Sequence, residues 1–335
     1  MNTFRKSAFL LIVVALAPTW AYPEDGADKA TDPAQLEREG KKRLEADLAN
    51  ARKLRRPAWL GATPLEVELT PDYKQMRRAV DSRFGKGKSR EAVKILYELI
   101  DRGTGKPRDW AEWYIAQSLV WAKETPFAIL EYSKGRPTPH SLLSLGRCYL
   151  EYDQSETATS YFKRAATLAA SQKQKNVLQA KAYWGIGDVC RRRGDVTKAK
   201  AAYQMALNAF ELELQVKGKP GWYYANVRKS MARMRFLMDL CDAGELDVSK
   251  LKPGTYTGTV QGFDAPITVS VTLAGGKITK IKVTKHKESI PLDCFEEIPR
   301  RIIEEQTPSV DTITGATVTA VGVMGAVLEA LQQAR

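Results

Sequence analysis

Two hydrophobic periods divide the chain. Between about residues 58 and 243 apolar side chains recur at helical spacing, and beyond Gly254 they alternate with polar ones. Within the helical part a pattern repeats. Leu142, Leu145, Gly146, Tyr149, Ala158, Phe162 and Ala165 reappear, 41 positions on, as Tyr183, Ile186, Gly187, Cys190, Ala199, Tyr203 and Ala206, each in its own size class. The spacing predicts two antiparallel helices per unit. Small residues such as Gly146 and Ala158 let the pair approach closely, the aromatics Phe162 and Tyr203 fill the space between neighbours, and Gly194-Asp195 makes the turn in the second unit. Upstream, Ala92, Leu96 and Leu99 mark one further helix, Trp113, Ala116 and Val120 another, and a short helix follows Pro126. Tyr224, Val227, Met231, Met234, Met238 and Cys241 predict a last helix that closes the stack.

This pattern, large-x-x-apolar-Gly-x-x-large followed by Ala-x-x-x-aromatic-x-x-Ala, resembles the tetratricopeptide repeats. Its period is longer than their usual 34 or so, and the excess falls around Ser171 to Leu178. The resemblance implies a stacked array of three or four units, roughly 70 to 215, with a concave surface for other proteins. A rigid spacer is the simpler reading of the same array.

Asp242 to Gly254 breaks the helical pattern with Gly and Pro and reads as a linker. Past it, Thr255 to Gly262 is a strand candidate. Ile267, Val269, Val271 and Leu273 alternate with Thr268, Ser270 and Thr272, Gly275-Gly276 supplies a tight turn, and Lys277 to Lys285 returns as the second arm of a hairpin. Pro291 to Glu305 reads as a helix with Phe295, Ile298 and Ile302 on one stripe. A final helix runs from about Val318 with Val321, Met324, Val327, Leu328 and Leu331 inward.

The N-terminus changes the picture of where the protein works. Arg5 and Lys6 precede the apolar run Ala8 to Ala17, and Thr19 and Ala21 stand at the −3 and −1 positions of a cleavage site before Tyr22. The apolar run is shorter than the roughly 20 residues of a comfortable membrane span. The expectation is a signal peptide over 1–21 and an exported protein, periplasmic or in the cell envelope; an uncleaved membrane anchor is the other reading. Export argues against nucleic acid as a partner, although the net charge is +13. From Lys250 onward basic and acidic side chains nearly balance, ten to nine, so the excess lies in the body and suits an anionic membrane surface or acidic partners. Residues 22–57 read as a charged linker or exposed helix, with Asp32 as N-cap and Pro33 at the first helical position. Cys148, Cys190, Cys241 and Cys294 lie far apart without a C-x-x-C pair, and only His140 and His286 exist, which argues against a His-rich metal site.

Between the last two helices lies Asp311-Thr312-Ile313-Thr314-Gly315-Ala316-Thr317, a D-x-x-T-G-A-T run. Here residues 255–335 resemble the FMN-binding domain family, which includes peripheral subunits of the sodium-translocating NADH:quinone reductase and of a related ferredoxin-linked complex. The opening Tyr256-Thr257-Gly258, the hairpin and the His286-x-Glu288 segment carry the resemblance further. It implies one FMN joined through its phosphate to the hydroxyl of Thr317 by a separate flavin transferase with FAD as donor. It also implies Glu288 and Ser289 near the flavin ring, and a redox protein or membrane electron-transport complex as partner. Two positions depart from the family's usual run: Ala320 stands where Ser is common, and Ile290-Pro291 where Pro-Gly is.

The residues by themselves agree with a phosphoester. Thr317 offers the hydroxyl, Gly315 and Ala316 leave room for a bulky donor, and a helix N-terminus suits a phosphate. Thr314 and Thr319 offer further hydroxyls, whereas Asp311 suits recognition by the transferase or organisation of the loop. A bare T-G-A-T also reads as an ordinary helix N-cap. The expected fold is an α-helical tetratricopeptide-like array over 58–243, a linker over 244–254 and a small α+β FMN-binding domain. The expected function is electron transfer by covalent FMN, in an exported carrier rather than a self-contained reductase, because no G-x-G-x-x-G follows a strand. Two alternatives stand beside it: a non-enzymatic exported adaptor with a structural C-terminal domain, and a small flavin reductase acting on a diffusible substrate.

Overall fold

The computed structural model describes residues 32–85, 88–243, 246–262, 265–288, 294–310 and 317–335, with only the backbone of residues 33, 85, 243, 317 and 318. The N-terminal segment read as a signal therefore lies outside the described residues. The chain is mostly helical, with twelve α-helices among the described residues and a small antiparallel sheet near the C-terminus. No helix among them is long and apolar enough to cross a membrane.

Helix α1 (Pro33–Leu54) starts where Asp32 caps it, its Oδ1 accepting from the Ala34 N–H at 3.1 Å. Although its sequence is charged, it does not stand free. Leu44 and Ala51 are buried, and Gly40 lies so close to Tyr152 that a Cβ there would meet the Tyr152 carbonyl at 1.9 Å. The Tyr152 hydroxyl donates to Asp47, and the Gln154 amide donates to the Glu37 carbonyl. Thus α1 packs along α5 (Thr125–Lys134) and the end of α6 (Pro139–Leu150).

Helices α2 (Tyr73–Gly85), α3 (Ser89–Arg102) and α4 (Gly105–Trp121) share one core with α5. The stripe read from sequence on α4 is displaced. Trp113 is 76% exposed, and the inward positions are Ala111, Ile115, Ala116 and Leu119. Spacing alone gives a stripe's period; its phase is set by α3 and α5, between which α4 packs.

The duplicated pattern has a direct physical counterpart. Helices α6 and α7 (Ser155–Ala169) form one antiparallel pair, and α8 (Lys175–Arg192) and α9 (Val196–Leu214) the next. The ring of Phe162 fills the space left by Gly146 and by Gly185, where a Cβ would lie 2.6 Å from it. The ring of Tyr203, at the matching position, does the same for Gly187 at 2.4 Å. Glycine in mid-helix costs about 1 kcal/mol against alanine; here it admits a fully buried aromatic, which more than offsets that cost.

Glu151, just past α6, accepts from the Thr125 hydroxyl. Burial pushes its carboxyl from 4.5 up to about 7, although that bond, Arg192 and Lys123 pull it down. A folded-state pKa raised in this way gives full stability below pH 4.5 and removes it as pH rises through 7. Glu151→Gln is therefore expected to flatten the loss over that window. In urea unfolding at stepped pH, wild type should lose on the order of 2–3 kcal/mol relative to the variant between the two ends.

Helix α10 (Gly221–Ala243) is the expected closing helix, and Val227, Met231 and Met234 are buried in it as the spacing predicts. It is also a joint. One continuous core runs from α8 and α9 through α10 and the buried Val248 and Leu251 into the C-terminal sheet. There β1 (Gly254–Gln261), β2 (Pro266–Ala274) and β3 (Lys277–Lys285) form a meander in the order β1-β2-β3. Gly275 and Gly276 both take positive φ, 59° and 72°, as the two-residue turn requires. Ile267, Val269, Val271 and Leu273 face the core.

Helix α11 (Cys294–Glu305) lies on β3, and α12 (Thr317–Gln332) lies on β1 and β2. Both free sheet edges are answered by side chains. The Gln306 amide exchanges two bonds with the backbone of Ile278, Glu329 accepts from the Thr259 N–H, and Gln333 donates to the Thr257 carbonyl. Beyond the stripe read from sequence, α12 also buries Ala320, Val323, Ala326 and Ala330, because it has the sheet on one side and α10 on the other, with Phe236 against Gly325.

Candidate functional site

Three segments converge at the leading end of α12. The first is the turn after β1, where Gly262 donates its N–H to the Ala265 carbonyl at 2.9 Å. The second is the stretch after β3, which carries Glu288. The third is the first turn of α12, which opens at Thr317.

Glu288 ties the three together. One carboxylate oxygen accepts from the Ala265 N–H at 3.1 Å, and the other accepts from the Thr319 hydroxyl at 2.6 Å. Glu288 is 8% exposed and Thr319 fully buried. A Cβ on Gly262 would lie 2.7 Å from the Glu288 carboxylate, and one on Gly322 3.2 Å from the Gly262 Cα, so the two glycines let these segments close on one another. The Thr319 hydroxyl is thus engaged by Glu288. An acceptor that answers a buried hydroxyl and a backbone N–H is costly to remove. Glu288→Ala is expected to destabilise the C-terminal domain by about 1–3 kcal/mol, read as a shift of the urea midpoint at unchanged slope.

The structure therefore places Glu288 beside the turn that begins with Thr317, two of the positions singled out in the sequence. Asp311, Thr314, Gly315, Ala316 and Ser289 lie outside the described residues, as does the Thr317 side chain. His286 is exposed and its ring lies against Phe295, centroids 4.2 Å apart; Cys294 is fully buried, and none of the four cysteines forms a disulfide. Sequence reading missed the bridge from Glu288 to Ala265. The signal for it was slight: Gly262 just after one strand, with the next beginning at Pro266.

A phosphate fits the leading end of α12 on two counts. The first N–H groups of a helix have no carbonyl within it to bond, and no acidic residue stands in this first turn. Against them, the Glu288 carboxylate brings one negative charge near, with both its oxygens already bonded.

Comparison with known proteins finds likeness over part of the chain. Over 87 residues, 25% of this chain, it is 38% identical to the NADH:acrylate oxidoreductase of Vibrio harveyi and 29% identical to an uncharacterized protein of Treponema pallidum (strain Nichols). The shared stretch spans 9% of the first protein and 24% of the second, so the likeness concerns one segment of each. Residues 262–332, from the turn that Glu288 braces to the end of α12, match the model of the FMN-binding domain family.

Proposed function

We propose that the protein is an exported flavoprotein that carries FMN as a phosphoester on Thr317 and passes electrons to or from a redox partner. The observation that carries this reading is the position of Thr317 at the first residue of α12, inside the segment that matches the FMN-binding domain family. A flavin transferase would supply the group. The Thr317 oxygen attacks the riboflavin-side phosphorus of FAD, the phosphoanhydride bond breaks, AMP leaves, and the hydroxyl proton passes to solvent or to the transferase. Once attached, FMN supplies the capacity to take up and release electrons.

The chain's own residues hold that chemistry in place. The first turn of α12 presents N–H groups to the phosphate, and Gly315 and Ala316 leave the hydroxyl accessible to the transferase. Thr314 offers a hydrogen bond and Asp311 organises the loop or is read by the transferase. Glu288 fixes the turn at Ala265 against Thr319, and the family resemblance would give it and Ser289 a place among the residues that hold the flavin ring. The helical pairs, read as tetratricopeptide-like repeats over 58–243, dock a redox protein or a membrane electron-transport complex at the cell envelope. A covalent bond suits this setting, because a cofactor lost outside the cytoplasm is not recovered.

The test is co-expression with a flavin transferase followed by denaturing electrophoresis. Flavin fluorescence that stays with the polypeptide band, and bleaches when the native protein is reduced, is the expected result. A dark band, with partners still captured by the helical pairs, would leave the adaptor reading in its place.

A further inference from the structure

A second site lies on the helical pairs, independent of the flavin. Arg147 of α6 and Arg233 of α10 lie over the indole of Trp184; of the cations on α8, Lys181 lies near Arg147 and Arg191 near Arg233, and Asp188 is the carboxylate that acts on Arg147, Arg191 and Arg233. The guanidinium of Arg233 sits 4.2 Å from the centre of the Trp184 ring and that of Arg147 5.5 Å from it. Arg233 is 7% exposed and Trp184 3%. Burial pushes Arg233 down to about 10, and burial with Arg147 nearby pushes Lys181 down to about 8.

Among the described residues, Asp188 is the one carboxylate that acts on this group, and it does not reach Lys181. No carboxylate among the described residues hydrogen-bonds Arg147, Lys181 or Arg233. Asp188 already accepts the Tyr203 hydroxyl at 2.7 Å. Nε and Nη1 of Arg233, Nε of Arg191 and the indole Nε1 of Trp184 are buried donors with no acceptor among the described residues. A buried charge left unpaired is costly, and a cation–π contact offsets only part of that cost. Several such charges on neighbouring helices call for an anion.

We propose that this face of α6, α8 and α10 binds a small dicarboxylate, held by Arg233, Arg147 and Lys181 over Trp184. The donors are all side chains at mid-helix, where backbone N–H groups are already bonded. Arg and Lys grip carboxylates by charge-assisted bonds, and the group includes none of the helix ends or backbone nests that add to a phosphate site. Three cations, Arg147, Lys181 and Arg233, against the single carboxylate of Asp188 match a dianion better than a monoanion.

The test is calorimetric titration of the flavin-loaded full chain with malonate, succinate and glutarate, and separately with inorganic phosphate, at constant ionic strength. At least one dicarboxylate should bind saturably. Arg233→Gln should weaken it by roughly tenfold or more, as when one charge-assisted contact is removed. Lys181→Met should do so too, and it decides the matter if Arg233→Gln does not fold. Lys200→Gln, which removes the exposed pair with Asp242, serves as control and should bind as wild type. No saturable dicarboxylate binding, phosphate binding in its place, or unchanged affinity in the folded variants would overturn the proposal.

Discussion

Thr317→Ala, co-expressed with a flavin transferase, is expected to yield a folded protein with no bound flavin. The loss should be complete, because the phosphoester needs a hydroxyl at that one position and neither Thr314 nor Thr319 replaces it. Thr319 is fully buried, and its hydroxyl already donates to Glu288. Thr317→Ser keeps a hydroxyl and should restore attachment. Stability should fall by no more than about 1 kcal/mol, the usual cost of losing a polar residue at a helix start, because the hydrophobic core of α12 begins beyond it. Far-ultraviolet dichroism and urea unfolding check the fold, and absorbance of the denatured protein checks the flavin. Flavin retained by the alanine variant would place the bond elsewhere.

Gly258→Ala is expected to be the most damaging single methyl in the C-terminal domain. Gly258 lies in β1 opposite Val269, and its Cα faces the backbone of α12. An added Cβ would fall 2.0 Å from the Ala326 carbonyl oxygen and 2.8 Å from the Ala330 nitrogen. Neither is the flexible end of a side chain. The whole helix must move, and α12 is held by the sheet on one side and Phe236 of α10 on the other. Overpacking of a dense core costs typically 1–3 kcal/mol, and more when backbone must shift, so about 3 kcal/mol or more is expected. Thr257→Ala, on the exposed face of the same strand, should change stability by less than about 1 kcal/mol. Because one core joins α10 to the sheet, the midpoint of thermal unfolding should fall for both regions together. Two separate transitions in the variant would contradict that coupling.

Local chemistry was the most legible part of the sequence. Strict alternation around Gly275-Gly276 located the hairpin within a residue or so, since pleat and turn both leave a period-two signature. The matched glycine and aromatic positions, Gly146 with Phe162 and Gly187 with Tyr203, were visible because close helix contact demands a specific pair of sizes. What remained hidden depended on partners distant in the chain. The charged pattern of α1 gave no sign that Gly40 would press against Tyr152. The buried side of α12 facing α10 is made of alanine and glycine, which carry little hydrophobic signal. Trp113 marked a helix correctly by its spacing, but the neighbouring helices leave it exposed. Arg147, Lys181 and Arg233 sit 34 or more residues apart, as solvated charges do, and only the stacking of α6, α8 and α10 collects them. At the candidate site, the sequence supplied Thr317 and Glu288 as separate features, and the fold joined them through Thr319.

The most direct measurement is the intact mass of the chain isolated from its native cells, followed by fragmentation of the peptide that holds residues 311–317. The expected result is a gain of FMN less one water, carried on Thr317. An unmodified mass, or the same gain on another residue, would contradict the account.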